Sequence, residues 1–297
     1  MVNAIVLTVS ITINLGIIFF LNTPSNEFII FPFDFLMIIF LIVFYPIFSL
    51  LILREKKKNR DGKEIERRLK SKQSNELPLK YDVYRKLTHL VVLGIIFSYF
   101  TLGFYINGGI MFFTQNLVLF LVGISLIGLL TAEFIRILNP KIYPLKPVNQ
   151  ILRENELHMR FGPHISMSIG CFSIILLYGL IQPIGPVIIC TSMTMSIFGD
   201  MASNLIGRVK GKSIIRNTNK TYEGLFAGII ISLISGIIML ILLRNFYRTS
   251  ILGFFLIPIL GALIIGGIDY IDLEIDDNLT FNFTLSTILF FVSFLIT

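Results

Sequence analysis

The chain of 297 residues is 55% hydrophobic and only 14% charged, with a mean hydropathy of +0.82 and a formal net charge of +7. Soluble domains carry about 25% charged residues, so the composition excludes a soluble globular enzyme. The basic excess lies in loops between apolar stretches, which excludes a nucleic-acid-binding protein as well.

Apolar stretches long enough to cross about 30 Å of hydrocarbon as helices fall at 4–21, 33–53, 87–106, 116–135, 164–181, 186–206, 222–243, 251–268 and 281–297. They predict an all-α, polytopic integral membrane helical bundle of about nine transmembrane helices, with eight as the alternative if the first lies in the interface. No Lys or Arg precedes the first stretch, and no small-x-small cleavage site follows in Leu21-Asn22-Thr23-Pro24, so it reads as a retained helix. The stretch at 186–206 is the weakest, because it carries Asp200 and Asn204. Cys171 and Cys190 sit inside apolar stretches without metal-ligand spacing and read as packed, reduced thiols. The chain divides into two N-terminal spans (1–53), a basic loop (54–84) and a helical part that holds the polar signals (85–297).

With nine spans, the loops 54–86, 136–163, 207–221 and 269–280 share one face. They contain all but Arg244 and Arg248 of the 25 Lys and Arg residues. By the positive-inside rule that face is cytoplasmic, with the N-terminus inside and the C-terminus on the opposite side. Segment 54–86 reads as a topology determinant touching anionic headgroups.

An ionisable group near the bilayer centre costs about 2.5–3.5 kcal/mol on insertion scales, so those present usually face a protein interior. In Arg85-Lys86-Leu87-Thr88-His89, helical spacing places Arg85 and Lys86 on the face of His89; snorkelling cations are the plainer reading. Glu133 and Arg136, three apart, fit a structural ion pair or a reactive site. Ser196, Asp200, Asn204 and Gly207 form one helical stripe with Ser203 beside it, leading into a loop with Gly211, Lys212, Arg216 and Lys220. Glycines admit phosphate close to backbone, cations neutralise it, and a rim Asp suits Mg²⁺. Gly207-Arg-Val-Lys-Gly211-Lys212-Ser213 is one residue short of a P-loop and follows a membrane helix where a strand belongs. The acidic run Asp269, Asp272, Glu274, Asp276 and Asp277 is either solvated surface or a set of oxygen ligands.

From 84 to 282 these residues resemble the CTP-dependent polyprenol kinases, a family that includes dolichol kinase, phytol kinase and the fungal CTP-type diacylglycerol kinase. The group is distantly similar to the phosphatidate cytidylyltransferases. Arg85-Lys86-x-x-His89 resembles the opening motif, and Glu133, Arg153, Glu156 and Gly162 the central one. Gly199-Asp200, Gly207, Gly211, Lys220-Thr221, Glu223-Gly224 and Gly228 resemble the nucleotide-binding signature, and Asp276-Asp277-Asn278-Leu279 the closing motif. Departures are Ser203 for a frequent Ala, Asn219 for a second Lys, Asp269 for a usual Glu and Asn282 for a frequent Pro.

The resemblance implies a membrane-embedded kinase that moves the γ-phosphate of CTP to the hydroxyl of a lipid alcohol, dolichol or another polyprenol, with Mg²⁺. It implies nucleotide contacts from Arg85, Lys86, Gly207, Gly211, Lys212, Arg216, Lys220, Thr221, Glu223 and Gly224. Metal ligation falls to Asp200, Asp277 and Asn278, and His89 or Glu133 is the base for the alcohol. Glu223 is expected to pair with Lys220 or reach the metal. The implied partners are CTP, the lipid alcohol and the bilayer. A cytidylyltransferase acting on a lipid phosphate is the main rival. A transporter or non-catalytic membrane protein is another, although its polar groups would gather near the midplane rather than at one rim.

Overall fold

Apart from Leu90 and the stretch ends at Gly179, Ile181 and Phe294, the described residues of the nine apolar stretches are helical, and a helix satisfies its backbone polar groups without water. The computed structural model describes residues 2–21, 32–58, 79–101, 112–139, 142–145, 162–179, 181, 183–216, 218, 220–245, 249–271 and 276–294. Its helices are α1 (Val2–Leu21), α2 (Phe33–Lys58), α3 (Leu79–His89), α4 (Val91–Thr101), α5 (Phe112–Leu138), α6 (Pro163–Tyr178), α7 (Ile184–Lys210), α8 (Tyr222–Leu242), α9 (Ile251–Ile271) and α10 (Asp277–Ser293). The described residues form an all-α bundle, with one isolated bridge between Ile214 and Thr221.

Among the described residues, five helices (α2, α5, α7, α8 and α9) are long and apolar enough to cross a membrane. Three more of the expected spans fall short of a full crossing for local reasons. The stretch 87–106 is split at Leu90, where Leu90 N donates to Leu87 O and Leu93 N to Leu90 O, i to i−3 bonds that end α3 and restart the chain as α4. Helix α6 has 16 residues and α10 has 17, shorter than the roughly 20 needed for a full crossing. Of the central motif, Glu133 and Gly162, the N-cap of α6, are described; Arg153 and Glu156 lie outside the described residues.

Helix α7 forms the axis. In its apolar window 89% of residues are buried inside the protein, against 6% in α2. That burial explains why 186–206 looks weakest as a span: a helix surrounded by protein need not present hydrocarbon to lipid. α2 sits at the periphery with Leu50, Ile42 and Leu53 exposed.

Small residues decide how α7 and α8 pack. Gly199, Ser203 and Gly207 on α7 meet Gly224, Gly228 and Ser232 on α8 in antiparallel register, each set spaced by four. A Cβ on Gly224 would lie 2.6 Å from the Ser203 carbonyl oxygen, and one on Gly228 3.0 Å from Ser203 Cβ. Close backbone approach of this kind lets helices pack where hydrophobic burial supplies no net drive. Farther along α7, Met195 fills the gap over Gly236 of α8 and Gly261 of α9. Met195 thus ties the middles of α7, α8 and α9 together, while Ser203 of α7, Lys220, the end of α9 and the start of α10 meet at one rim.

Candidate active site

Two lysine–carboxylate clusters form at that rim. The first joins α3 to α7. Lys86 Nζ donates to Asp200 Oδ2 at 2.5 Å, and His89 Nδ1 stands 3.6 Å from the same oxygen. Asn204, one turn on, donates to Asp200 Oδ1 at 2.6 Å, so both carboxylate oxygens are engaged. Arg85, Lys86, His89 and Asp200 are all buried. A buried carboxylate is tolerated only when paired and hydrogen-bonded, and here the i, i+3 spacing of Lys86 and His89 delivers both to one partner. The face-sharing expected of Lys86 and His89 is therefore present.

His89 Nδ1 faces Asp200; in the tautomer that carries its proton on Nδ1, Nε2 is the acceptor. His89 Nε2 is buried and has no hydrogen-bond partner.

The second cluster joins the loop after α7 to α9 and α10. Lys220 Nζ donates to Asp269 Oδ1 at 2.8 Å and to Asp277 Oδ2 at 3.0 Å, while Ser203 of α7 donates to Asp269 Oδ2. One ammonium cannot neutralise two carboxylates. Burial works against the charge of Lys220, yet Asp277 and Asp269 hold its pKa above the usual lysine range. Asp277, ahead of the apolar part of α10, is pushed up to about 6 by burial, with Asp200 and Asp269 adding to the rise against the pull of Lys220.

The basic loop is an ordered hairpin. Ile215 N donates to Lys220 O, Tyr222 N to Ser213 O, and buried Ile215 anchors the tip. This fold turns Lys220 inward and leaves Lys212 and Arg216 exposed. Several residues expected at the nucleotide have structural work instead. Thr221 is the N-cap of α8, its side chain accepting from Gly224 N. Gly207, Gly211 and Gly224 allow α7, the hairpin and α8 to touch: a Cβ on Gly211 would sit 2.1 Å from Gly207 O. Glu223 neither pairs with Lys220 nor joins the carboxylates; both its oxygens accept from Ser213 N at 3.2 Å, fastening the hairpin.

Among the described residues no group of three or more His, Cys, Asp or Glu is gathered as metal ligands. Asp200 and Asp277 each hold a lysine, and the Asn278 amide turns back to Asp276 Oδ1, the N-cap of α10. The donor chemistry nevertheless suits a hard cation, since three carboxylates lie around this rim. Asp269, which sequence reading left in an acidic loop, is a buried residue of α9 and a better oxygen donor than Asn278. A lone Asp ending an apolar helix is the signal that singles it out.

Glu133 lies in a separate cluster. Arg136 Nε and Nη2 grip its two oxygens at 3.0 and 2.6 Å, His164 Nε2 lies 3.3 Å from Oε1, and Gly162 N donates to Oε2 at 3.2 Å. A bidentate guanidinium of this kind commits the carboxylate to fixing α5 against the start of α6. His89 is the better placed of the two expected bases.

A cavity of about 530 Å³ lies among α4, α5 and α6, with His89, Tyr143 and His164 in its wall. Sequence reading had no signal for it beyond the histidines. No protein-family model matches the chain, and neither a curated protein nor a solved structure matches it.

Proposed function

We propose that this protein is a kinase embedded in the membrane, transferring the γ-phosphoryl group of CTP to the hydroxyl of a lipid alcohol of the polyprenol type. The observation that carries the reading is the pair of lysine–carboxylate clusters, Lys86 with Asp200 and Lys220 with Asp269 and Asp277, at one rim of an apolar bundle. A lipid alcohol presents its hydroxyl at headgroup depth, and a nucleotide reaches that depth from the aqueous side. The basic loops support reading that side as cytoplasmic.

Phosphoryl transfer depends on positioning and charge neutralisation more than on covalent chemistry. Lys86 and Lys220 are cations held ready by carboxylates. An incoming triphosphate takes over those ammonium groups, with Arg85, Lys212 and Arg216 as further cations. Asp200, Asp269 and Asp277 would be the oxygen ligands for Mg²⁺, which when bound would supply charge stabilisation on the transferring phosphate. His89 Nε2 accepts the hydroxyl proton, and Asp200 stabilises the imidazolium that results. The alcohol oxygen bonds to the γ-phosphorus, the bond to the β–γ bridging oxygen breaks, and CDP leaves.

His89 also favours a kinase over a cytidylyltransferase, whose acceptor is already an anionic phosphate and needs no base. CTP labelled in the γ-phosphate, given to purified protein with Mg²⁺ and a polyprenol, is expected to place label in the lipid. In a parallel assay with cytidine-labelled CTP and a lipid phosphate, cytidine label entering the lipid while the γ-label never does would make the protein a cytidylyltransferase.

A further inference from the structure

Resting on that reading, we propose that the cavity among α4, α5 and α6 is the binding site for the chain of the alcohol, and that it selects lipids with a single hydrocarbon chain. The cavity has polar side chains at one end. His89, Tyr143 and His164 lie at the rim, next to the clusters, while Val118, Ser98 and Cys171 lie deeper in the bundle. Along α5 the wall runs from Ala132 to Val118, about 21 Å at 1.5 Å per residue.

Below the rim the wall is chemically silent. Its three serines turn their hydroxyls back to their own helices: Ser98 to Gly94 O, Ser125 to Leu121 O and Ser168 to His164 O, at 2.7 to 2.8 Å. The buried, unpartnered Nε2 of His89 is an acceptor waiting for a donor. A hydroxyl followed by plain hydrocarbon satisfies both ends of this site. A two-chain glycerolipid would carry ester carbonyls below the rim, where burying them without a donor is costly. The volume of about 530 Å³ also falls in the range of sites for one compact ligand segment.

Gly94 supplies the test, because it lines the cavity and a Cβ added to it meets nothing within 4 Å. Leucine there fills the cavity without disturbing backbone. Full-length protein in detergent would be photolysed with geranylgeraniol carrying a diazirine, with no CTP present, and the labelled peptides mapped. Label is expected in α4, α5 and α6, displaced by excess geranylgeraniol but not by equal dioleoylglycerol. Gly94→Leu should lower it about tenfold or more, while Gly267→Leu, also in open space, leaves it unchanged. Label concentrated on α2, equal displacement by dioleoylglycerol, or full labelling of Gly94→Leu would overturn the assignment. Since labelling needs no nucleotide, correct labelling without transfer from CTP would defeat the kinase reading alone. Transfer with labelling elsewhere would defeat only the cavity.

Discussion

Replacing Gly224 with alanine tests the link between small-residue packing and the site. The new Cβ would lie 2.6 Å from the Ser203 carbonyl oxygen and 3.0 Å from Gly207 Cα. Ordinary C···O approach is about 3.3–3.6 Å, so α8 must retreat from α7 by roughly 0.7–1 Å. Overpacking of this size costs about 1–3 kcal/mol, and the helix preference of alanine over glycine returns somewhat less than about 1 kcal/mol. A net loss of about 1–2 kcal/mol is expected. The displacement also reaches function, because Ser203 holds Asp269 and Lys220 lies one turn before Gly224. Thermal denaturation in detergent should show Gly224→Ala melting below wild type, with transfer activity reduced in parallel. Gly267→Ala, where the Cβ meets nothing, should melt at or above wild type. Equal melting of the two variants would refute the packing argument.

Glu133→Ala removes the carboxylate that buried Arg136 grips and should destabilise the protein by about 3–5 kcal/mol; wild-type melting with transfer abolished would instead make Glu133 the base. Asp277 carries a raised pKa of about 6, so the folded chain keeps a proton that the unfolded chain loses near pH ~3.9. That contribution is complete below the lower value and disappears as pH rises through about 6. Melting followed across this window should show the fall, and Asp277→Asn should flatten it. Lys220→Met leaves Asp269 and Asp277 without their shared cation, and both melting temperature and apparent affinity for CTP are expected to drop.

The fold class was readable because membrane helices announce themselves through length and apolarity. Their number was harder, since a run such as 87–106 does not reveal that α3 ends at His89 with a tightened turn. Spacing alone placed Lys86 and His89 on one face, because three residues on a helix bring them together whatever the tertiary structure. It did not reveal that Asp200 is their partner, 114 positions away from Lys86. The glycines illustrate the limit best. In sequence, Gly207, Gly211 and Gly224 suit a phosphate cradle as well as a helix crossing, and only the opposed backbones assign them to the crossing. Asp269 looked like one acid among several, although its burial beside Ser203 and Lys220 makes it central.

The central claim, that the paired clusters at the rim perform phosphoryl transfer, is tested most directly by Asp200→Asn. Asparagine keeps the shape and a hydrogen-bonding oxygen but removes the charge facing Lys86 and His89. Wild-type protein with γ-labelled CTP, Mg²⁺ and a polyprenol in liposomes should release labelled lipid phosphate. Asp200→Asn, folded and eluting as wild type, should lose that transfer by about a hundredfold or more. Undiminished transfer in the variant would contradict the account.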